Sequence, residues 1–273
     1  MEIMSAIPEL EYSEAKCWKS VYQHSKVDIR RKLKLAATEI AGATCLAAGG
    51  IDTLGFNRVV GLGIASAING PVLDSVIHFY EQSETSRFFV QFPPFQLSPD
   101  IRQLLETKGF RYYNNWSKYF LDLRNLGIVA PHSTEFKVAP VKPDQLSLFG
   151  DIICRSFEFD PSLREYVTAT YGAPGWKYYF ALDEGKPVAA ASLYFMDRHA
   201  KLVMGATLPE ARNSGAQSLL ITQRIEDAVS HKCQTISTET SQDLPERPSH
   251  SARNMQKFGF RLGYHRANYI YEF

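Results

Sequence analysis

Two places in the chain carry residue types suited to chemistry. The first is Arg212-Asn213-Ser214-Gly215-Ala216-Gln217, set between a β-like run at 200–208 and a pattern of helical period carrying Ala216, Leu219, Leu220, Ile221, Ile225, Ala228 and Val229. A helix start has unpaired N–H groups and a partial positive charge. It therefore suits phosphate, provided small residues let the ligand approach. An arginine adds a cation with forked donors. Arg212-x-x-Gly215 at a strand-to-helix handover therefore suits a diphosphate. An ordinary polar turn with a solvated arginine is the bland alternative. The second place is Glu239, in Thr238-Glu239-Thr240 at the end of a β-like run. It is the best-placed carboxylate for a general base, and a solvated strand-end charge is its bland reading.

The elements that must position these residues follow from periodicity and breakers. The second half reads as a strand at 136–141, helices at 143–153 and 163–170, a hairpin of 176–182 and 188–196, and strands at 201–207 and 234–241. The helix after the quoted loop, a helix at 251–258 and closing strands complete it. The order is β-α-α-β-β-β-α-β-α-β-β. The first half reads as helical over 12–34 and β-like over 39–48 and 55–65. A helix over 71–80 follows, with Asn69-Gly70 ahead and Pro71 in its first turn. A strand at 88–92 stops at Pro93-Pro94, Ser98 caps a helix ended by Gly109, and a strand spans 112–123. Residues 126–134, with Gly127, Pro131 and Ser133, form the expected linker.

The two halves echo each other. GFRYYNNWSKYFLDL at 109–123 aligns without a gap on GFRLGYHRANYIYEF at 259–273, an offset of 150. VVGLG at 59–63 parallels VMGAT at 203–207, an offset of 144. Two copies of one domain type account for this better than a solenoid, whose period is much shorter.

The bulk numbers narrow the classes. The chain has 273 residues, enough for two domains. Its net charge of +1 supplies no global field for nucleic acid or acidic membranes. The acidic N-terminal stretch lacks the pattern of a signal peptide, and no apolar run is long enough to span a bilayer. Cys17, Cys45, Cys154 and Cys233 are scattered without C-x-x-C or histidine spacing, so neither a disulfide framework nor a metal site is expected. A reduced, cytoplasmic protein is the expectation. GLGIAS at 61–66 has part of a dinucleotide fingerprint, but Ser66 replaces the last glycine. Glu81 and Glu84 lie on or after a helix rather than at a strand end. No G-x-S-x-G is present to anchor a hydrolase triad. Tyr112, Tyr113, Trp116, Tyr119 and Phe120 read as packing residues rather than as a base-stacking platform.

The element order, the loop at 212–217 and Ser251-Ala252-Arg253-Asn254-Met255-Gln256-Lys257-Phe258-Gly259-Phe260 together resemble the GNAT superfamily of acyl-CoA-dependent N-acyltransferases. The resemblance covers about 136–273. The family's phosphate loop is commonly Gln/Arg-x-x-Gly-x-Gly/Ala; Arg212 and Gly215 match, and Gln217 departs. The resemblance implies two GNAT-like α/β domains, each a twisted, mixed, mostly antiparallel sheet flanked by helices. One spans 1–125 and is degenerate, and the other spans 134–273. It implies that N–H groups around Asn213, Ser214, Gly215, Ala216, Gln217 and Ser218 hold the diphosphate of acetyl-CoA. It implies further that main chain at Gly205, Ala206 and Thr207 pairs with the pantetheine and that Ser251 and Asn254 touch the cofactor's other end. At the 144 offset Arg212 corresponds to Ile68 and Gly215 to Pro71, so no CoA site is expected in the first copy. The position of the family's tyrosine acid holds Met255, leaving Tyr264, Tyr269 or water. The implied activity is N-acetyl transfer to a small-molecule or protein amine, without a metal, with no nucleic-acid or membrane partner; the alternative is a non-catalytic acyl-CoA-binding module.

Overall fold

The computed structural model describes residues 3–124 and 135–273, and the expected linker at 126–134 lies outside them. The chain forms two compact units, and neither is one contiguous piece of sequence. The first unit holds Met1–Tyr119, Glu239–Arg253 and Leu262–Phe273; the second holds Phe120–Thr238 and Asn254–Arg261.

In the first unit, α1 (Ile3–His24) and α2 (Val27–Lys32) replace the single helical region expected at 12–34. Lys26, with φ −58° and ψ 155°, makes the break. The β-like stretch at 39–48 is a hairpin of β1 (Leu35–Ile40) and β2 (Ala43–Ala48), antiparallel with Ile40 opposite Ala43. Ala41 and Gly42 both have positive φ (49° and 79°), the conformation a two-residue hairpin turn requires. β3 (Arg58–Val60) is far shorter than the 55–65 expected. Gly61 and Gly63, both at φ 84°, turn the chain away from the sheet. The GLGIAS stretch is thus a turn after a strand. α3 (Gly70–Gln82) then crosses over to β4 (Arg87–Phe92), which pairs parallel with β3. α4 (Pro99–Thr107) and β5 (Arg111–Asp122) follow. Leu73, Val76, Tyr80, Phe88, Val90, Phe92 and Phe110 are fully buried in the core of this unit.

The second half of the sequence repeats the plan. β6 (Lys137–Pro140), α5 (Leu146–Phe157) and α6 (Arg164–Val167) precede an antiparallel set of β7 (Trp176–Asp183), β8 (Lys186–Met196) and β9 (His199–Thr207). α7 (Ala216–Ser230) crosses over to β10 (Thr235–Ser241), which runs parallel to β9. α8 (His250–Lys257) and β11 (Arg261–Glu272) end the chain. The order α-α-β-β-β-α-β-α-β occurs twice, and the first strand of the second unit, β6, has no counterpart among the described residues of the first. The fold is mixed α/β with two domains of one type.

β11 does not pair within the second unit's strands β6–β9. Ala267–Glu272 lie antiparallel to Arg87–Phe92 of β4, inside the first unit. The repeat at 109–123 and 259–273 corresponds to the same helix stop. Phe110 N donates to Leu105 O (2.9 Å) and Phe260 N to Met255 O (3.1 Å), with Gly109 at φ 88° and Gly259 at φ 79°. A left-handed residue directly after the helix favours glycine. Gly259→Ala should therefore cost about 1 kcal/mol in urea denaturation. Leu121, whose Cδ1 would lie 3.7 Å from the new Cβ, leaves room for it, so the cost is one of backbone conformation.

Candidate functional site

The loop before α7 leads into a helix start that no side chain caps. A short 3-10 turn at Pro209–Ala211 ends β9's run, Arg212 is extended (φ −68°, ψ 154°), and Asn213 and Gly215 are left-handed at φ 64° and 97°. Gly215 is the N-cap, and no side chain caps the helix. The first N–H groups of α7, on Ala216, Gln217 and Ser218, therefore lack a side-chain partner. Ser214 Oγ is turned back to donate to Ala211 O (2.5 Å). Arg212 is exposed, and its guanidinium makes a long hydrogen bond to Ser156 O (3.5 Å). Gln217, where the sequence departs from the phosphate-loop pattern, points away: Thr207 Oγ1 donates to its Oε1 at 3.4 Å.

The corresponding helix start in the first unit is closed. Asn69 caps α3 by accepting from Val72 N (3.0 Å), and Pro71 has no N–H to offer. The contrast lies in the two helix starts rather than in the strand order, which is shared.

β9 supplies the second part of the site. Its parallel pairing with β10 spans three residues, His199, Ala200 and Lys201 against Thr235, Ile236 and Ser237. Residues 202–207 run beyond it. On the other edge the register slips: Ala190 faces Ala206 and Ser192 faces Val203, so Met204 and Gly205 together oppose Ala191. This is a β-bulge. Met204 takes φ 45° to form it. Main-chain groups of Gly205, Ala206 and Thr207 are therefore presented where β10 no longer pairs with them. An extended amide chain can take up such an edge.

Ser251 is exposed and Asn254 half-buried on α8, which is capped by Ser249: its Oγ accepts from Ala252 N (3.3 Å). Met255 on the same helix is buried.

Glu239 and Tyr264 lie in the first unit, in an arrangement the sequence did not suggest. Six charged side chains meet there. Arg266 Nη1 donates to Glu11 (2.9 Å) and Glu14 (3.2 Å), and its Nη2 to Glu14 (3.2 Å), Gln91 (3.0 Å) and Glu239. Arg58 Nη1 donates to Glu239 Oε1 (2.9 Å), and its guanidinium lies 4.4 Å from the Trp18 ring and 5.6 Å from that of Trp116. Lys118 pairs with Glu14, and the Tyr264 hydroxyl donates to Glu11. Both Glu239 oxygens thus accept from guanidinium groups, and its side chain is 13% exposed while Arg58 and Arg266 are almost fully enclosed. The three carboxylates match the three cations in number, the condition under which buried charges are tolerable.

Burial alone would raise the Glu11 carboxyl, but Arg266 and Lys118, with hydrogen bonds from Tyr264 and Arg266, hold it below its ordinary 4.5. Burial, joined by the Glu11 charge, pushes the Tyr264 hydroxyl well above the ordinary phenol range, so its proton stays in place. Glu11 and Glu14 are spaced three apart on one face of α1, beside the buried Ile7 and Leu10. Charges on an otherwise apolar helix face were the available signal; their partners, 104 to 255 residues away, were not legible.

The second unit thus combines a mixed sheet with a parallel crossover, a bulged strand, and an uncapped helix start beyond that strand's end. Known proteins share features of this chain. The model of the acetyltransferase (GNAT) family matches residues 147–260. Among solved structures, the chain is similar to a tandem GNAT protein from the clavulanic acid biosynthesis pathway, with 15% identity over 84% of this chain and 78% of that one, at a TM-score of 0.61. It is similar to a GCN5-related N-acetyltransferase from Kribbella flavida, with 12% identity over 93% and 94%, at 0.60. It is also similar to one from Sphaerobacter thermophilus, with 11% identity over 84% and 80%, at 0.61. No curated protein sequence matches it. Residues 147–260 therefore carry a GNAT acetyltransferase domain. Among the described residues no helix is long and apolar enough to cross a membrane, and no group of three or more His, Cys, Asp or Glu is placed to hold a metal.

The charge cluster makes a stability prediction. Glu11→Gln leaves Arg266 short of a carboxylate and should cost about 3–5 kcal/mol, as breaking a buried pair does. Because the folded Glu11 titrates below its unfolded value of 4.5, its contribution is fully present above that pH and is lost as pH falls through the folded value. Denaturation of both proteins at pH 7 and at pH 3 should show the variant losing less stability on acidification than the wild type.

Proposed function

We propose that the chain is an N-acetyltransferase that moves the acetyl group of acetyl-CoA to an amine, with the cofactor held at β9 and the start of α7. The observation that carries this reading is the uncapped start of α7 beyond the unpaired, bulged end of β9. Donors at Ala216, Gln217 and Ser218 suit a diphosphate, and the left-handed Gly215 suits its close approach. Arg212 supplies a nearby cation. The edge at Gly205, Ala206 and Thr207 suits the amides of the pantetheine, while Ser251 and Asn254 are proposed contacts from α8.

Acetyl-CoA supplies a thioester, whose carbonyl carbon bonds to the amine nitrogen while the carbon–sulfur bond breaks and the sulfur leaves with the electron pair. The amine must first lose its proton. A lysine-like amine titrates near about 10.4, so this is the demanding transfer, whereas a thiol titrating near about 8.5 can leave as a thiolate without an acid. Met255 at the family's acid position is therefore compatible with catalysis. Glu239 is the proposed proton acceptor. With both oxygens engaged by Arg58 and Arg266, it must release part of one ion pair to take the proton. Tyr264, locked to Glu11, is assigned no proton transfer in this reading. The acceptor is a small-molecule or protein amine.

The first unit is proposed to bind no CoA, because Asn69 and Pro71 close its helix start. Calorimetry on the full chain should give one acetyl-CoA per chain. Gly215→Asp, which sets bulk and negative charge at the phosphate position, should abolish that binding; unchanged affinity or a stoichiometry of two rejects the assignment.

The proton transfers are tested with an acceptor found by screening an amine panel for thiol release. Glu239→Gln should lower kcat by about 100-fold or more if Glu239 is the base. Met255→Leu should leave kcat close to wild type. A wild-type rate and pH profile in Glu239→Gln would assign the proton to water. Saturable binding without turnover on any amine would favour a non-catalytic acyl-CoA-binding module.

A further inference from the structure

Inside the buried face of α7 stands a charge that, among the described residues, belongs to no ion pair. Arg224 follows Leu220 and Ile221 in the stripe that packs on the sheet, and it is 1% exposed. Its Nε donates to Leu220 O (2.9 Å) and its Nη1 to Ser192 O (3.3 Å). Among the described residues it pairs with no carboxylate. Ser192 flanks the bulge of β8 and β9. A Cβ on Gly205 would lie 3.3 Å from Arg224 Nη2 and 3.5 Å from its Nη1, so the guanidinium rests directly against the bulged main chain. The same Cβ would meet Gln217 Nε2 at 2.7 Å. Gly205 is therefore enclosed on its helix side by two side chains of α7, seven residues apart.

A buried cation with only neutral partners is expensive. Burial pushes this guanidinium down to about 10, with the Tyr179 hydroxyl opposing the shift. A neutral side chain reaching the same carbonyls avoids that cost. The charge is explained if negative charge develops on the other side of the bulge.

We infer that Arg224 is a positioning residue for acyl transfer: it holds the β9 bulge from behind and places a fixed positive charge under the Gly205 peptide, polarising the thioester carbonyl seated there. This rests on the acetyl-CoA reading above. As the amine nitrogen bonds to the acetyl carbon, the carbonyl oxygen gathers negative charge. It gives that charge back as the carbon–sulfur bond breaks and the thiolate leaves, the amine proton passing to Glu239 or water. A preorganised charge aimed at that oxygen lowers the barrier without rearranging.

The test needs no acceptor. Isotope-labelled acetyl-CoA is bound to the wild type, to Arg224→Lys, which keeps the charge, and to Arg224→Gln, which keeps a donor and loses the charge. The infrared carbonyl stretch of the bound thioester is then recorded, with CoA affinity measured by calorimetry. The expected result is a stretch shifted down in the wild type, largely kept in Arg224→Lys, and returned toward the free value in Arg224→Gln, with affinity for CoA itself retained in all three. A purely structural role lowers the melting temperature of both variants and leaves the stretch unmoved. That result overturns the inference, and so does an equal loss of the shift in both variants. If Arg224→Gln does not fold, Arg224→Met is the neutral variant with the same deciding outcomes. A wild type that binds neither CoA nor acetyl-CoA overturns the acetyl-CoA reading itself, and the inference with it.

Discussion

Parallel strands cannot be joined by a tight turn, and this constraint organises both units. β3 and β4 need the crossover α3, and β9 and β10 need α7. A crossover helix begins beyond the carboxyl end of the strand before it, where its unpaired N–H groups collect. Each unit therefore generates a potential anion site by topology alone. Whether the site survives is a matter of two or three residues. Asn69 and Pro71 satisfy one helix start internally, while Gly215 leaves the other open.

The same strand pair shapes the rest of the second unit's site. Because β10 pairs with β9 over three residues, the remainder of β9 offers an edge, and the bulge at Met204 and Gly205 re-aims that edge. The bulge in turn accepts the side chains of Gln217 and Arg224 against a residue that has no Cβ. Strand, loop and helix are thus one mechanical assembly: Thr207 and Gln217 tie the helix back to the strand that precedes it, and Arg224 ties it to β8.

The first unit meets a different demand. Its N-terminal helix carries two glutamates on a buried face, and these are retained only because Arg266 and Lys118 arrive from β11 and β5. Removing any one member strands the others in a medium that solvates charge poorly. Glu239 is drawn into this cluster through Arg58 and Arg266, which couples a proposed proton acceptor to the integrity of that core.

The sequence by itself determined the element order, the internal repeat and the handover loop, because these rest on local period, turn chemistry and self-similarity. The stop at Gly109 and Gly259, the hairpin turn at Glu184-Gly185 and the cap at Ser98 are local rules and were legible. Three strand expectations failed: Ala41-Gly42 divides one run into a hairpin, Gly61 and Gly63 cut another short, and the two closing strands expected after α8 are the single β11. Only the tertiary structure decided that the final strand lies along β4 rather than closing the second unit. It alone decided that Glu239 and Tyr264 are engaged by groups far away in sequence, and that Arg224 sits behind a bulge. The physical reason is common to all three. A strand edge accepts any strand of matching register, and a buried charge accepts any partner of opposite sign, so neither choice is written in the residues nearby.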